Sequence, residues 1–276
     1  MDEYLDQGYL STKYGGSVST TQEYNASDFA LGQLAEALGK KSVADYYKER
    51  SLSYRKLFDP ELDLLRPRLP DGNWYEPFDP LAGANFTKNV CFIEGNAWQY
   101  DFMFPHDKKG LIKLMGVKKQ FTRQLQKVFD DNQFDMANEP DIAYPFLFNY
   151  IKGEEWRSQR TVKELMKTYF QNNPEGLPGN DDTGTMSAWL VFSMMGIYPV
   201  TPGDPVYTIT TPVFDTIRIQ LNGTYYDTDE LIIRKKTNAE SGIIKRIQLG
   251  DKRHNSYFVS HNKLINSGLL EIIIDN

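Results

Sequence analysis

The chain has 276 residues, 40% hydrophobic and 25% charged, enough to bury a sizeable core in one large domain or two ordinary ones and too apolar for global disorder. A formal net charge of −6, without a long lysine/arginine run, argues against a nucleic-acid partner, whose phosphates want a basic face. With Cys91 the one cysteine and His106, His254 and His261 the only histidines, disulfides and cysteine- or histidine-rich metal centres are excluded, and an oxygen-ligated hard cation is left open.

Cys91, beside Phe92 and Ile93, reads as a small buried hydrophobe. No stretch approaches the ~18 uninterrupted apolar residues of a membrane helix. The start, Met1-Asp2-Glu3-Tyr4, lacks the basic-then-apolar layout of a signal peptide. Aromatics reach 13%, as in sugar-binding clefts and also in large helical cores.

In chain order, Phe29, Leu31, Leu34, Ala35 and Leu38 predict an apolar helical stripe closed by Gly39. Ser42 and Asp45 resemble a capping box opening a second helix with Val43, Tyr46, Tyr47, Tyr54 and Leu57, so the two form an αα-hairpin. Residues Pro60 to Lys88 are a long loop rich in Pro, Gly and Asp, and loops this long are usually functional. Helical periodicity returns over Trp98–Phe104, Gly110–Asp130, Glu154–Phe170 and Met186–Met195, with Gly196 beyond the last. From Tyr198 the period becomes two. Strands are expected at Ile217–Leu221, Leu231–Arg234, Ile243–Leu249, Tyr257–Val259 and Leu269–Ile274, with Asn222-Gly223 as a hairpin turn. The reading is a mainly α layer over 1–200 followed by a small antiparallel β region over 201–276, with Pro199, Pro202 and Pro205 at the boundary.

Three clusters place carboxylates among Gly, Asn and Pro at helix mouths: Glu94-Gly95-Asn96-Ala97-Trp98-Gln99-Tyr100 running on to Pro105-His106-Asp107, Asn138-Glu139-Pro140-Asp141, and Gly179-Asn180-Asp181-Asp182-Thr183-Gly184. Taken singly, each reads first as capping or turn chemistry: Asp182 suits a cap for the next helix and Asn180 an Asx-turn. Glu94, between Ile93 and Gly95, suits a carboxyl packed partly on apolar surface, which would keep it protonated as a general acid. Glycoside hydrolysis needs two carboxyls in opposite protonation states. Asn138 and Glu139 offer hard oxygen ligands suited to Ca²⁺, in a spacing far from an EF-hand.

Together with Ser17-Val18-Ser19-Thr20-Thr21-Gln22-Glu23-Tyr24, Arg66-Pro67-Arg68, Pro77-Phe78-Asp79-Pro80, Met186-Ser187-Ala188-Trp189 and Met195-Gly196-Ile197-Tyr198-Pro199-Val200, these clusters resemble, in order and spacing, glycoside hydrolase family 92, the exo-acting α-mannosidases. The likeness covers nearly all of residues 1–200. It implies an N-terminal β-sandwich followed by an (α/α)6 toroid, with the active site where the two meet. By that resemblance this chain is the C-terminal part of a longer protein, Met1 is not a natural start, and the β-sandwich is missing. Family members are commonly exported, though the sequence assigns no localisation.

The resemblance implies hydrolysis of terminal non-reducing α-linked mannose in α-mannoside glycans by an inverting, Ca²⁺-assisted mechanism. It places the general acid at Glu94 and the general base at Asp182, with Asp181 or Asn180 positioning the attacking water. Asn138 and Glu139 become the Ca²⁺ pair, and Trp98, Gln99 and His106 line the pocket. Glu rather than Gln at position 94 favours ordinary α-mannosides over mannose phosphodiesters. An α-1,2 linkage is expected, although the loop Asp131–Ala137 is shorter than in α-1,2-specific members. Two alternatives stay open: another (α/α)6 glycosidase or phosphorylase, and a non-catalytic carbohydrate-binding fragment. The sequons at Asn25, Asn85 and Asn222 read as chance.

Overall fold

A computed structural model describes residues 2–84, 88–103, 106–237 and 242–274, and its chain forms two compact units, Met1–Asp141 and Ile142–Asn276. The sequon at Asn85 and the residues Phe104 and Pro105 lie outside the described residues.

The first unit holds helices α1 (Asp2–Gln7), α2 (Ser17–Ala37) and α3 (Lys41–Arg50), the short strands β1 (Phe58–Asp59) and β2 (Leu64–Leu65), then α4 (Ala97–Tyr100), α5 (Lys108–Leu114) and α6 (Lys118–Asp130). α2 and α3 form the expected hairpin. Gly32 makes their close approach possible, since a Cβ there would lie 3.0 Å from Lys48 Cγ and 3.3 Å from Lys48 N. Gly39, at φ 70°, closes α2 by donating to Glu36 O, while Lys40 N reaches back to Ala35 O. The Ser42–Asp45 capping box does not form: α3 starts at Lys41, its N-cap is Lys40, and no side chain caps it.

The expected stripe on α2 is only partly turned inward. Ala35 is buried and Phe29 stacks on His106, but Leu31, Leu34 and Leu38 are exposed, and the buried side also carries Ser17, Thr21, Gln22, Asn25 and Asp28. This polar face is buried because it is paired. Arg50 grips Asp28 through two bonds of 2.6 and 2.5 Å, Tyr4 Oη donates to Asp28 at 2.6 Å, and Asn25 donates to Tyr4 Oη and Ser53 Oγ and accepts from Tyr54 N. A buried, fully engaged Asn25 is no glycan acceptor, as expected of a chance sequon.

The motif Arg66-Pro67-Arg68 holds the long loop. Buried Arg66 pairs with Asp59 at 3.0 Å and with Glu76, and lies over the rings of Trp74 and Phe78. The Gly110–Asp130 periodicity resolves into two helices, and α6 buries Phe121, Leu125 and Val128.

In the second unit, residues Tyr144–Tyr150 form a 3₁₀ helix buried over Tyr144–Asn149. Then come α7 (Glu155–Tyr169), α8 (Thr185–Met195), and β3 (Ile197–Tyr198) paired with β4 (Val206–Ile209). Trp189, fully buried on α8, donates to Ile142 O at 2.8 Å and stacks on Phe170. The remaining elements are β5 (Thr216–Gln220), β6 (Glu230–Thr237), β7 (Ile244–Leu249), β8 (Lys252–His254), β9 (Phe258–Ser260), α9 (His261–Ser267) and β10 (Leu269–Ile274).

They make a three-stranded sheet β3-β4-β9 and a five-stranded sheet β5-β6-β10-β7-β8. The expectation of a purely antiparallel region is corrected at one pairing: β10 runs parallel to β6, because the chain passes through β7, β8, β9 and α9 before returning between β6 and β7. Asn222-Gly223 is not a two-residue hairpin either. Asn222 sits in a longer connection between β5 and β6 and accepts from Thr224 N in an Asx-turn. Helix gives way to strand at Gly196, whereas the compact units divide at Asp141 and Ile142.

Candidate active site

The loop bearing Glu94 is tied to the start of α2. Gly16 N and Val18 N donate to Val90 O and Cys91 O, and Ile93 N donates to Ser19 Oγ at 2.9 Å. Cys91 is buried as expected. Tyr100 Oη closes the loop onto Ile93 O at 2.7 Å, and Tyr100 O accepts from Gln22. Glu94 itself has φ 54°, a left-handed conformation that costs an ordinary L-residue about 1 kcal/mol and concentrates at functional turns. The expected apolar packing of its carboxyl is absent, for Glu94 and neighbouring Ile93 are both exposed. The loop points this residue outward, since its anchoring bonds engage the backbone around it.

Asn96 caps α4 in a reciprocal capping box with Gln99, and its amide donates to Gln133 at 3.0 Å. The Gln99 side chain is thereby engaged with the helix start. Trp98 is buried, with the Lys127 ammonium 4.7 Å from its ring centre. His106 stacks on Phe29 and donates from Nε2 to Ser51 O at 2.8 Å, while burial lowers its pKa. Its neighbour Asp107 caps α5 and accepts from Tyr54 and Arg55.

Asn138 is buried, and its amide donates to Glu94 O at 2.9 Å. Its Oδ1 accepts from Glu139 N, and the exposed Glu139 carboxylate has no partner among the described residues. Next to them Asp141 is fully buried; its Oδ2 accepts from Asp135 N and its Oδ1 is unpartnered. Burial holds Asp141 well above the usual carboxylate range. The first unit thus brings together Glu94, Trp98, Gln99, Asn138 and Glu139. Burial pushes the Tyr100 phenol up to about 12, with Glu23, Glu94 and Asp141 adding to the rise.

In the second unit Asp181, not Asp182, caps α8. Its Oδ1 accepts from Met186 N at 2.9 Å and Ser187 N at 3.1 Å, and its Oδ2 accepts from Ser187 Oγ. The Ser187 hydroxyl, followed by these amides, holds its carboxyl below the usual range. Asp182 is exposed and its carboxylate has no partner among the described residues. Thr183, at φ 51°, and Gly184 follow in left-handed turns.

The profile of the Glycosyl hydrolase family 92 catalytic domain matches residues 1–276. The chain belongs to glycosyl hydrolase family 92. The family 92 chain is 29% identical over 293 residues, 99% of its own length, to an uncharacterized secreted glycosidase of Arthroderma benhamiae. It superposes on a family GH92 alpha-mannosidase from Bacteroides thetaiotaomicron in complex with mannoimidazole with TM-score 0.89 at 28% identity, and covers 99% of this chain and 38% of that one. A family GH92 inverting mannosidase of the same organism gives 0.87 at 26%, with 99% and 39% covered. The family 92 chain therefore spans about 37% of the curated relative's length.

Proposed function

We propose that this chain carries the catalytic loops of an exo-α-mannosidase that releases terminal non-reducing α-linked mannose, of the α-1,2 type, with inversion and with Ca²⁺ assistance. The observation that carries the reading is the bond from Asn138 to Glu94 O, which joins the proposed acid loop to the proposed cation loop. The mannosidases that superpose on the chain, one of them an inverting enzyme, support it. In this reading the helices belong to an (α/α)6 toroid, with residues 1–200 its catalytic portion and 201–276 a β region.

Glu94 is the general acid. It gives its proton to the glycosidic oxygen as the bond from that oxygen to C1 breaks. Asp182 is the general base. It takes a proton from the water whose oxygen attacks C1 from the opposite face, so one water is consumed and the anomeric centre inverts. The Asp182 carboxylate, without a partner among the described residues, suits that role, whereas Asp181 is committed to α8 and holds the turn that carries the base. Trp98 and Gln99 support the acid loop.

The donor chemistry suits a hard cation, although among the described residues no three His, Cys, Asp or Glu side chains cluster as a metal site. Glu139 offers a carboxylate without a partner among the described residues, Asn138 an amide oxygen, and Asp141 a buried oxygen without a partner. Glu139 and Asn138 would hold Ca²⁺, which supplies Lewis-acid orientation of sugar hydroxyls. The experiment is Glu94→Gln in the longest natural polypeptide that carries this sequence. It should abolish hydrolysis of α-mannosides with poor leaving groups and spare those whose leaving group needs no proton. Equal loss on both classes removes Glu94 from the acid role.

A further inference from the structure

The five-stranded sheet of the second unit has two unlike faces. Alternation along the strands sends Leu231, Ile233, Ile247, Leu249, Leu270 and Ile272 into one buried apolar cluster. The register places Arg218, Arg234, Lys236, Arg246 and Arg253 on the opposite face, with Glu230 and Glu271 as the carboxylates among them. That face is basic in a chain whose formal net charge is −6.

The carboxylates neutralise one half of it. Glu230 pairs with Arg218 at 2.7 Å, and Glu271 pairs with Lys236 at 2.8 Å and Arg234 at 3.8 Å. Arg246 and Arg253, both exposed, have no ion pair among the described residues. They line one cleft of about 180 Å³ at the β7–β8 edge of the sheet, together with Lys245, His254, Tyr257 and the apolar Ile244 and Ile247 from the other side, and no carboxylate lines it. His254 is fixed there: its Nε2 donates to Phe258 O at 2.9 Å, and Lys263 Nζ donates to its Nδ1 at 3.3 Å.

We propose that this cleft binds the sulfate or phosphate ester groups of an acidic polysaccharide, as a glycan-holding site separate from the catalytic loops. Two guanidinium forks without carboxylate partners suit a tetrahedral oxyanion, which arginine grips through paired N–H donors. That the anion is carried by a glycan rests on the glycosidase reading; binding is read without catalysis, so either can fail alone.

The test is affinity electrophoresis of the 276-residue chain through gels containing dextran sulfate, neutral dextran, or neither, with inorganic phosphate as competitor. Dextran sulfate should retard the chain and neutral dextran should not. The variant Arg246→Ala/Arg253→Ala should weaken retardation at least tenfold. Lys163→Ala/Lys167→Ala, which removes equal charge from α7, should change it less than twofold. Equal weakening in both pairs, or none in the arginine pair, overturns the proposal. Complete competition by millimolar inorganic phosphate overturns its polysaccharide part. Should the alanine pair unfold, Arg246→Lys/Arg253→Lys keeps the charge and loses the forks. It should weaken retardation at least threefold, and unchanged retardation contradicts the assignment.

Discussion

The side-chain amide of Asn138 donates to the backbone carbonyl of Glu94 at 2.9 Å, so a residue buried in one loop fixes the carbonyl of an exposed, left-handed residue in another. Asn138→Ala removes the donor and leaves that carbonyl without it. We expect a loss of about 1–2 kcal/mol in denaturant melts and faster amide exchange around Ile93–Gly95. Unchanged exchange there would show that the loop is held by its bonds to α2 alone.

The left-handed backbone at Glu94 makes a second prediction. Glu94→Gly should be more stable than Glu94→Ala by about 1 kcal/mol, since only glycine adopts that conformation freely. Both should be inactive if Glu94 is the acid. Equal stability of the two variants would mean that the turn relaxes.

The adjacent aspartates separate structure from chemistry. Asp181→Ala strips the bonds to Met186, Ser187 N and Ser187 Oγ, so Tm should fall by a few degrees. Asp182→Asn should shift Tm by less than about 1 °C, since no partner among the described residues is lost, and should abolish hydrolysis in the full protein. A large loss of stability from Asp182→Asn would assign that carboxylate to the fold.

Buried Asp101 predicts a pH dependence. Its Oδ1 accepts from Leu65 N at 3.1 Å, its Oδ2 is unpartnered, and burial raises its pKa well above the usual value. The folded state keeps this proton where the unfolded state releases it. Stability contributed here is therefore greatest below the ordinary carboxylate value of about 4 and falls by up to about 1.4 kcal/mol per pH unit above it, until the folded pKa is passed. Asp101→Asn keeps the acceptor and should flatten Tm against pH over that window. An unchanged slope would show that Asp101 is not the group responsible.

Much of this was legible in the residues. α6, α7 and α8 and five of the strands (β5, β6, β7, β9 and β10) follow from periods of 3.6 and 2, because one side of each meets a core. The buried 3₁₀ helix over Tyr144–Tyr150 escaped, since a segment apolar on nearly every side has no periodicity to read. α2 misled for the opposite reason. Its polar side is buried because Asn25 and Asp28 bond to Tyr4, Arg50, Ser53 and Tyr54, partners up to 29 positions away, and partners that distant leave no local mark. In the candidate site, composition drew attention to Glu94, Asn138 and the aspartate pair. Which aspartate caps α8 depends on the left-handed turn at Thr183 and Gly184, and a spacing rule does not contain that turn.

The most direct test of the account is the anomer first released from an α-mannoside, followed by proton NMR before mutarotation, with Ca²⁺ present and then chelated. The full protein carrying this chain should release β-mannose first, with Ca²⁺ only. Release of α-mannose first, or release undiminished by the chelator, would contradict the inverting, cation-assisted roles given to Glu94, Asp182, Asn138 and Glu139.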